Sequence, residues 1–205
     1  MADIKVFYFD ARGRAEIIRL VLTLAGQDFD DVRFSREEWP KYKEAAPFGQ
    51  APFAEYKGKK YGQSDAIASF FAEEFSLYGK TNLDRLRIDE VIGLSNDLMQ
   101  VGMKVYFELD ETKKAELDKK LMEEDLPKYL GYFQRLVQEN SPNGVFVGRE
   151  LTLADLYVYD QMFQLKKTRN YDAAEKFADL KALKDRVESD PRLKTYLANR
   201  KDTAM

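Results

Sequence analysis

The chain has 205 residues, with 33 lysines and arginines against 36 aspartates and glutamates, which gives a net charge of −3. This balance excludes a strongly basic protein that binds nucleic acid, while 44% apolar residues are enough for a buried core. The sequence has no cysteine and no histidine, which excludes disulfides, thiol nucleophiles, imidazole bases and Cys/His metal sites. Any chemistry must therefore use other side chains, the backbone or a bound co-substrate, and we expect no metal.

The N-terminus predicts no targeting signal. The first five residues, Met1 to Lys5, lack a basic segment followed by an apolar one, so we expect no signal peptide. The most apolar window, 17–25, is interrupted by Arg19 and is far shorter than the roughly 20 residues of a membrane span. Because the absence of cysteine is also consistent with a reducing compartment, we expect a cytoplasmic protein with no membrane partner.

The first part of the chain, 1–78, predicts a compact α/β unit. Residues 4–9 and 29–34 are rich in β-branched and aromatic side chains, which is typical of strands. Apolar residues recur at helical spacing over 14–25, and Gly26 is placed to end that helix.

A short helix, a hairpin and a longer helix complete this unit. Ser35 and Glu38 have the spacing of a capping box, which predicts a short helix through Trp39 and Lys43. Two short strands are predicted at 52–56 and 60–62, around a glycine-containing turn. Ser64 is predicted to cap a helix that runs to about Phe75.

Strand signals disappear after a polar linker at 79–82, and residues 83–205 predict an all-helical domain. Thr152 and Asp155 have the spacing of a second capping box, which predicts a structural role for Asp155 rather than a catalytic one. The predicted helices lie near 83–109, 113–138, 152–167, 180–188 and 191–198.

Short motifs in a fixed order point to a family. They are Tyr8, Arg12-Gly13-Arg14-Ala15-Glu16, Trp39, Lys43, Pro47-Phe48-Gly49-Gln50-Ala51-Pro52, Gln63-Ser64-Asp65-Ala66-Ile67, Gly148, Leu151-Thr152-Leu153-Ala154-Asp155-Leu156 and Asp190-Pro191-Arg192-Leu193. With these motifs the whole chain resembles a cytosolic glutathione transferase, most closely the sigma class of invertebrates. The resemblance implies a thioredoxin-like domain at 1–78, a helical domain at 83–205 that forms the electrophile pocket, a homodimer, and glutathione as co-substrate.

Tyr8 is the candidate catalytic residue. It stands at the end of the first predicted strand, where its hydroxyl can donate a hydrogen bond to a thiol sulfur held in a cleft. A free thiol has a pKa of about 8.5, and lowering it by two units needs roughly 2.7 kcal/mol of preferential thiolate stabilisation. One well-aimed donor in a dry pocket has this magnitude. The alternative is a tyrosine that only packs at the end of a strand.

The resemblance implies glutathione contacts at the beginnings of two helices. Arg14, at the start of the first helix, would hold Tyr8 or a carboxylate of the peptide through a charge-assisted bond, which makes it the second candidate catalytic residue. Gln63 and Ser64 precede a helix whose free amides would bind the γ-glutamyl carboxylate. The alternatives are a solvated arginine and a serine that serves only as a cap.

Two further segments would complete the glutathione site. Gln50-Ala51-Pro52 resembles a loop in which a cis proline exposes the preceding residue, so that Ala51 would pair with the cysteinyl backbone through its N–H and C=O groups. Trp39 and Lys43, four residues apart on one helix face, would meet the glycyl carboxylate. The alternatives are an ordinary turn and a packed indole ring.

The helical domain is expected to contribute one charged contact and an apolar wall. Asp97 resembles the acidic residue that reaches across the dimer to the γ-glutamyl amine of the partner's ligand, and is otherwise a solvated carboxylate. Phe9, Met99, Met103 and Tyr106 are candidates for an adaptable wall of the electrophile pocket, or for core residues.

Three functions stay open. The first is a detoxifying transferase that conjugates small electrophiles or reduces organic hydroperoxides. The second is a prostaglandin-H2 D-isomerase that uses the same thiolate, against which Lys104 replaces an expected aromatic wall and Gly93 and Asn96 replace expected carboxylates. The third is a ligand carrier or lens crystallin without enzymatic activity, which the short connection at 108–112 disfavours because such crystallins usually carry an insertion there.

Overall fold

A four-stranded sheet organises the first part of the chain in the computed structural model, which describes residues 3–140 and 143–203. The strands are β1 Ile4–Phe9, β2 Asp30–Phe34, β3 Phe53–Tyr56 and β4 Lys59–Gly62, and they lie in the order β2-β1-β3-β4. β1 pairs in parallel with β2 and antiparallel with β3, and β3 pairs antiparallel with β4. These bounds confirm the predicted strands, whereas the signal-peptide expectation depends on Met1 and Ala2, which lie outside the described residues.

Two helices of this part of the chain pack against each other beside the sheet. A 3₁₀ turn at Gly13–Ala15 leads into α1, Glu16–Leu24, which is almost entirely buried and ends before Gly26 at φ 68°. The apolar face of α1 packs against α3, Ser64–Glu74. The short helix α2, Trp39–Lys43, follows a turn closed by the predicted hydrogen bonds between Ser35 and Glu38.

The second compact unit, residues 79–185, is helical. The described segment 111–139 is helical throughout, as predicted for 113–138, but a π-helical turn at 121–125 interrupts its α-helical hydrogen bonding. The amide of Leu126 donates to the carbonyl of Leu121, which is the spacing of a π-helical turn, and Pro127 has no amide hydrogen to continue the α-helical ladder. The helices are α4 Asn82–Phe107, α5 Glu111–Lys120, α6 Leu126–Glu139, α7 Leu153–Arg169, α8 Ala173–Lys176 and α9 Ala178–Ser189, whose last residues belong to the first unit.

Both long helices of this unit begin with capping boxes. The box of Thr152 and Asp155 at the start of α7 confirms the prediction, and Asp155 is fully buried. A second box at Thr81 and Asp84 starts α4, inside the segment predicted as a polar linker. A threonine followed three residues later by aspartate is thus a helix start in both places.

The end of the chain clusters with the first unit. α10, Pro191–Asn199, packs against α1, and the described residues from 186 onward group with those before 79. The sequence places all of 83–205 in one helical domain, because helical periodicity identifies a helix but not its packing partner. None of the described helices is both long enough and apolar enough to span a membrane.

Candidate active site

The hydroxyl of Tyr8 lies at the beginning of the first helix. Tyr8 is the penultimate residue of β1, and its oxygen accepts a hydrogen bond from the backbone amide of Arg14 at 3.4 Å. Gly13 makes this approach possible, because a Cβ atom at that position would lie 2.7 Å from the Tyr8 oxygen. Since the oxygen accepts from the backbone, its own proton stays available for a ligand.

A polar cleft opens in front of this helix start. Phe48 and Gly62, which sequence reasoning missed, also line it, and a Cβ at Gly62 would lie 2.7 Å from the Phe48 ring. The signal for Gly62 is a glycine at the end of a strand, which often marks a close approach. Six of the ten predicted glutathione residues meet at this cleft: Arg14, Gln50, Ala51, Pro52, Gln63 and Ser64.

The loop before β3 has the predicted backbone. The bond between Ala51 and Pro52 is cis, which confirms the expectation from the resemblance. Gln50 is exposed, Ala51 is half-buried and Pro52 is buried, so the loop is anchored at its proline and open at its first residues. The N–H and C=O groups of Ala51 therefore belong to the rim of the cleft rather than to the sheet.

The beginning of α3 differs from the prediction. Gln63, at φ 70°, occupies the N-cap position without a side-chain hydrogen bond, and Ser64 is the first helical residue. The prediction that Ser64 caps this helix is therefore wrong. Its hydroxyl instead donates to Asp65 at 3.3 Å. Gln63 and Ser64 both line the cleft, so the N-terminus of α3, where backbone amides have no acceptor within the helix, lies at the cleft.

The ring of Trp39 belongs to an aromatic stack. It lies parallel to Phe34, with 5.5 Å between ring centroids, and 5.6 Å from Phe9. Phe9 also packs edge-on against Phe34 and Tyr8, at 5.1 and 5.5 Å. Lys43 instead runs beside the loop before β3, because a Cβ at Gly49 would lie 3.8 Å from the Lys43 Cε atom.

In the second unit, Asp97 is exposed on α4 in a groove that α4 forms with α6. The groove has mixed charge, since Glu90 and Arg135 also line it. Three of the four candidates for the electrophile wall share one face of the same helix, at i, i+4 and i+7, whereas the fourth, Phe9, lies at the end of β1 in the first unit. Met99 and Met103 are half-buried on this face, whereas Tyr106 is 53% exposed.

Among residues 3–140 and 143–203, no cluster of three or more Asp or Glu side chains could hold a metal ion. The polar groups of the residues that line the cleft are the Ser64 hydroxyl, amides and the Arg14 guanidinium, which suit a peptide with carboxylates.

Comparisons of the sequence with known families and proteins identify the same family in both parts of the chain. The family "Glutathione S-transferase, N-terminal domain" matches residues 4–73, and its C-terminal domain matches residues 96–200. A glutathione S-transferase of Anopheles gambiae is 34% identical, over 98% of both chains. S-crystallin SL11 of Nototodarus sloanii is 31% identical over the full length of both.

Comparison with solved structures identifies the same fold. Monomeric Na-GST-3, a glutathione S-transferase of the hookworm Necator americanus, superposes with a TM-score of 0.88 and 35% identity, over 98% of this chain and 99% of that one. Prostaglandin synthase D of Nilaparvata lugens superposes with a TM-score of 0.89 and 31% identity, over the same shares.

Proposed function

The chain belongs to the glutathione S-transferase family and is a glutathione transferase, and from this premise we propose that Tyr8 activates the glutathione thiol. The observation that carries the proposal is the position of the Tyr8 oxygen, which accepts the Arg14 amide at 3.4 Å beside a glycine. An oxygen that already accepts a backbone hydrogen bond directs its own proton outward, where a sulfur in the cleft would receive it.

The chemistry needs only one ionisation, that of the glutathione thiol. The thiol proton leaves to solvent, and the Tyr8 hydroxyl stabilises the remaining thiolate by hydrogen bonding. The sulfur then forms a bond to an electrophilic carbon, and the leaving group, for example chloride from a chloronitrobenzene, departs with the bonding electrons. Reduction of organic hydroperoxides would use the same thiolate.

The cleft supports one orientation of glutathione. The N–H and C=O groups of Ala51 would pair with the cysteinyl backbone, with Gln50 and Pro52 holding the loop. The first-turn amides of α3, at Gln63 and Ser64, would bind the γ-glutamyl carboxylate.

The exposed guanidinium of Arg14 would add a charge-assisted bond to glutathione. Lys43, whose stem borders this loop at Gly49, would meet the glycyl carboxylate together with the indole N–H of Trp39. In this orientation the two carboxylates of the peptide would have separate partners, backbone amides at the beginning of α3 and the Lys43 cation with the Trp39 indole at α2.

The helical unit would supply the second substrate's wall and a contact between subunits. Met99, Met103 and Tyr106 share one face of α4, and a flexible thioether surface suits electrophiles of varied shape. In a homodimer, Asp97 would reach the γ-glutamyl amine in the partner's site. The hookworm relative is described as monomeric, so sedimentation of this chain at micromolar concentration, with Asp97→Ala as a variant, decides this part.

The second candidate function is prostaglandin-H2 D-isomerase. The similarity to Nilaparvata lugens prostaglandin synthase D supports it, because both chains align over almost their full lengths. Product analysis with prostaglandin H2 separates it from general conjugation. The similarity to S-crystallin SL11 is the one observation in favour of the third alternative, a ligand carrier or crystallin-like protein, against which stands the similarity to glutathione S-transferases over almost the full length. Sigma-class membership, detoxification and a cytoplasmic location stay predictions.

The deciding experiment compares native protein with Tyr8→Phe on immobilised glutathione and with a chloronitrobenzene acceptor. We expect binding to be retained and kcat/KM to fall about 10²-fold, because one donor to a developing anion is lost. Tyr61→Phe, an exposed tyrosine on β4 of the same sheet, is the matched control and should retain full activity. Unchanged turnover in Tyr8→Phe would remove Tyr8 from the mechanism, and binding without turnover in native protein would favour the crystallin-like function.

A further inference from the structure

The segment that joins β1 to α1 is held from behind by the end of the chain. Lys201 donates to Asp10 at 3.0 Å. The amide of Arg12 donates to the hydroxyl of Thr203 at 3.3 Å, and the Arg12 guanidinium donates to the Thr203 carbonyl at 3.2 Å. All of these residues lie in the first compact unit. Two of the three residues between β1 and Gly13 are therefore bound directly by residues 201–203.

A buried charged group lies beneath this contact. Glu16 is 0% exposed, and its Oε1 atom accepts hydrogen bonds from Arg200 at 2.9 Å and from the Tyr196 hydroxyl at 3.1 Å. Burial raises the pKa of Tyr196, and the charge of Glu16 raises it further, so the hydroxyl stays protonated and acts as the donor. The other oxygen of Glu16 faces Arg19, also 0% exposed, at 3.4 Å.

Arg19 transmits this arrangement to the backbone. Its Nη1 atom donates to the carbonyl of Ala11 at 2.9 Å and to that of Arg12 at 3.4 Å, while its Nε atom donates to Asp31 at 2.9 Å. The amide of Glu16 itself donates to the Arg12 carbonyl at 3.1 Å. The carbonyls of two consecutive residues are thereby fixed by buried donors.

The residues that follow these carbonyls are the ones that meet the tyrosine. Gly13 comes next, at φ 39°, and its Cα leaves just enough room for the Tyr8 hydroxyl. Arg14 then presents the amide that this hydroxyl accepts at 3.4 Å. A hydrogen bond of this length is weakened further by any displacement, because hydrogen-bond strength falls steeply with distance and angle.

We propose that Glu16, Tyr196 and Arg200 are positioning residues for the thiol-activating tyrosine, through the backbone at 11–14. None of the three lines the cleft, and each acts by holding the segment whose amide orients the Tyr8 hydroxyl. This inference rests on the proposed function, because it gives the C-terminal helix a part in catalysis only if Tyr8 activates the thiol.

The test measures ionisation of bound glutathione by the ultraviolet absorbance of its thiolate, together with kcat/KM, both as a function of pH. In Arg200→Gln we expect the apparent pKa of the bound thiol to rise by about one unit and kcat/KM at neutral pH to fall about tenfold. Tyr196→Phe, which removes one hydroxyl and keeps the ring, should give a smaller shift of the same sign. The rates of both variants should converge on native protein at alkaline pH, where the thiol ionises without help, and KM for glutathione should change less than about twofold.

Three comparisons make the result specific. Lys194→Gln, on the exposed side of α10, is the matched control and should leave the thiol pKa unchanged. Arg200→Lys keeps the positive charge opposite Glu16, so its thiol pKa and kcat/KM should lie close to those of native protein. In a Tyr8→Phe background, Arg200→Gln should add no further shift, because both changes act on the same hydrogen bond.

The outcomes separate this inference from the proposed function. A raised thiol pKa in Tyr8→Phe with an unchanged pKa in both Arg200→Gln and Tyr196→Phe overturns the positioning role alone. A loss of activity that is equal at every pH and proportional to the loss of folded protein also overturns it. An unchanged thiol pKa in Tyr8→Phe overturns the proposed function, and this inference with it.

Discussion

The segment 10–16 has an arginine on each of its two sides, and the two arginines have different surroundings. On the cleft side, Arg14 is exposed and its backbone amide donates to the Tyr8 hydroxyl oxygen. On the other side, Arg19 and Glu16 are fully buried and hydrogen-bonded to side chains and carbonyls. Two arginines five residues apart thus differ in what they bind: one faces a cleft that a ligand would fill, and the other is satisfied within the fold.

Because one side is buried and the other is exposed, substitutions on the two sides should affect different properties, stability on the first and activity on the second. A buried charge whose partners are removed leaves an uncompensated cost, so changes behind the segment should act on folding. A group that faces solvent in the free protein costs little to remove, so changes on the cleft side should act on binding or rate.

The largest effect is expected for Arg19→Met. It removes buried donors to Asp31, Glu16 and the carbonyl of Ala11, and breaking such a pair typically costs 3–5 kcal/mol, so we expect a loss of about that size. Urea unfolding monitored by far-ultraviolet circular dichroism measures it. Arg14→Met is the matched change on the cleft side, and its free energy of unfolding should stay within about 0.5 kcal/mol of native while glutathione affinity falls. Equal losses for the two variants would contradict the comparison.

In the second unit, the buried carboxylate of Asp155 is also fully hydrogen-bonded and should also act on stability. Asp155 accepts hydrogen bonds from the Thr152 amide at 2.7 Å, the Thr152 hydroxyl at 2.8 Å and the Phe146 amide at 2.9 Å, all buried. Asp155→Ala should therefore cost about 3 kcal/mol, because buried donors lose their acceptor.

The capping box of α4 is the control for this change. Asp84 accepts the amides of Lys80 and Thr81 at an exposed site, so Asp84→Ala should cost only about 1 kcal/mol. Activity per folded molecule should be unchanged in both variants. A large loss of kcat in folded Asp155→Ala protein would reopen a catalytic role for Asp155.

Gly13→Ala tests the residue that lies between the buried support of 11–12 and the Arg14 amide. At φ 39° an alanine is strained by about 1 kcal/mol, and its Cβ would lie 2.7 Å from the Tyr8 oxygen, so the tyrosine must move. We expect kcat/KM to fall at least about tenfold, since small displacements of reacting groups are costly. Gly131→Ala, inside α6 with open space around it, should instead stabilise the protein by up to about 1 kcal/mol without affecting the rate. An unchanged rate in Gly13→Ala would separate the helix start from the chemistry.

Much of the fold follows from the sequence. β-Branched and aromatic content located the first two strands and a glycine-containing turn located the other two, all within about two residues, and the Thr152–Asp155 spacing gave a correct helix start. Local patterns also explain the errors: Ser64 has the chemistry of a cap, but the backbone of Gln63 at φ 70° takes the cap position. Pro127 was the signal for the interruption before α6, because it cannot donate to the preceding turn.

The cleft was predicted in part, and the support behind it was not. The motifs gave six of the residues that line the cleft. Charged Glu16 and Arg19, spaced by three in an otherwise apolar helix, indicate a buried pair, but not that Tyr196 and Arg200 come from the other end of the chain to meet it. Partners 180 and 184 residues away are fixed by tertiary packing, which no local pattern contains.

The smallest effect concerns Asp10, at the exposed edge of the supporting side. The hydrogen bond from Lys201, and next that from Arg33, holds the pKa of Asp10 below its ordinary value. A carboxyl whose pKa is lower in the folded state than in the unfolded chain stabilises folding above the ordinary pKa, and this contribution disappears as pH falls through the lowered value. Because the pair is exposed and screened, Asp10→Asn should cost no more than about 0.5 kcal/mol near neutral pH. In urea unfolding the difference from native should shrink as the pH falls below the ordinary aspartate pKa of about 3.9. A difference that persists at acid pH would mean that Asp10 holds the segment by packing, not by its charge.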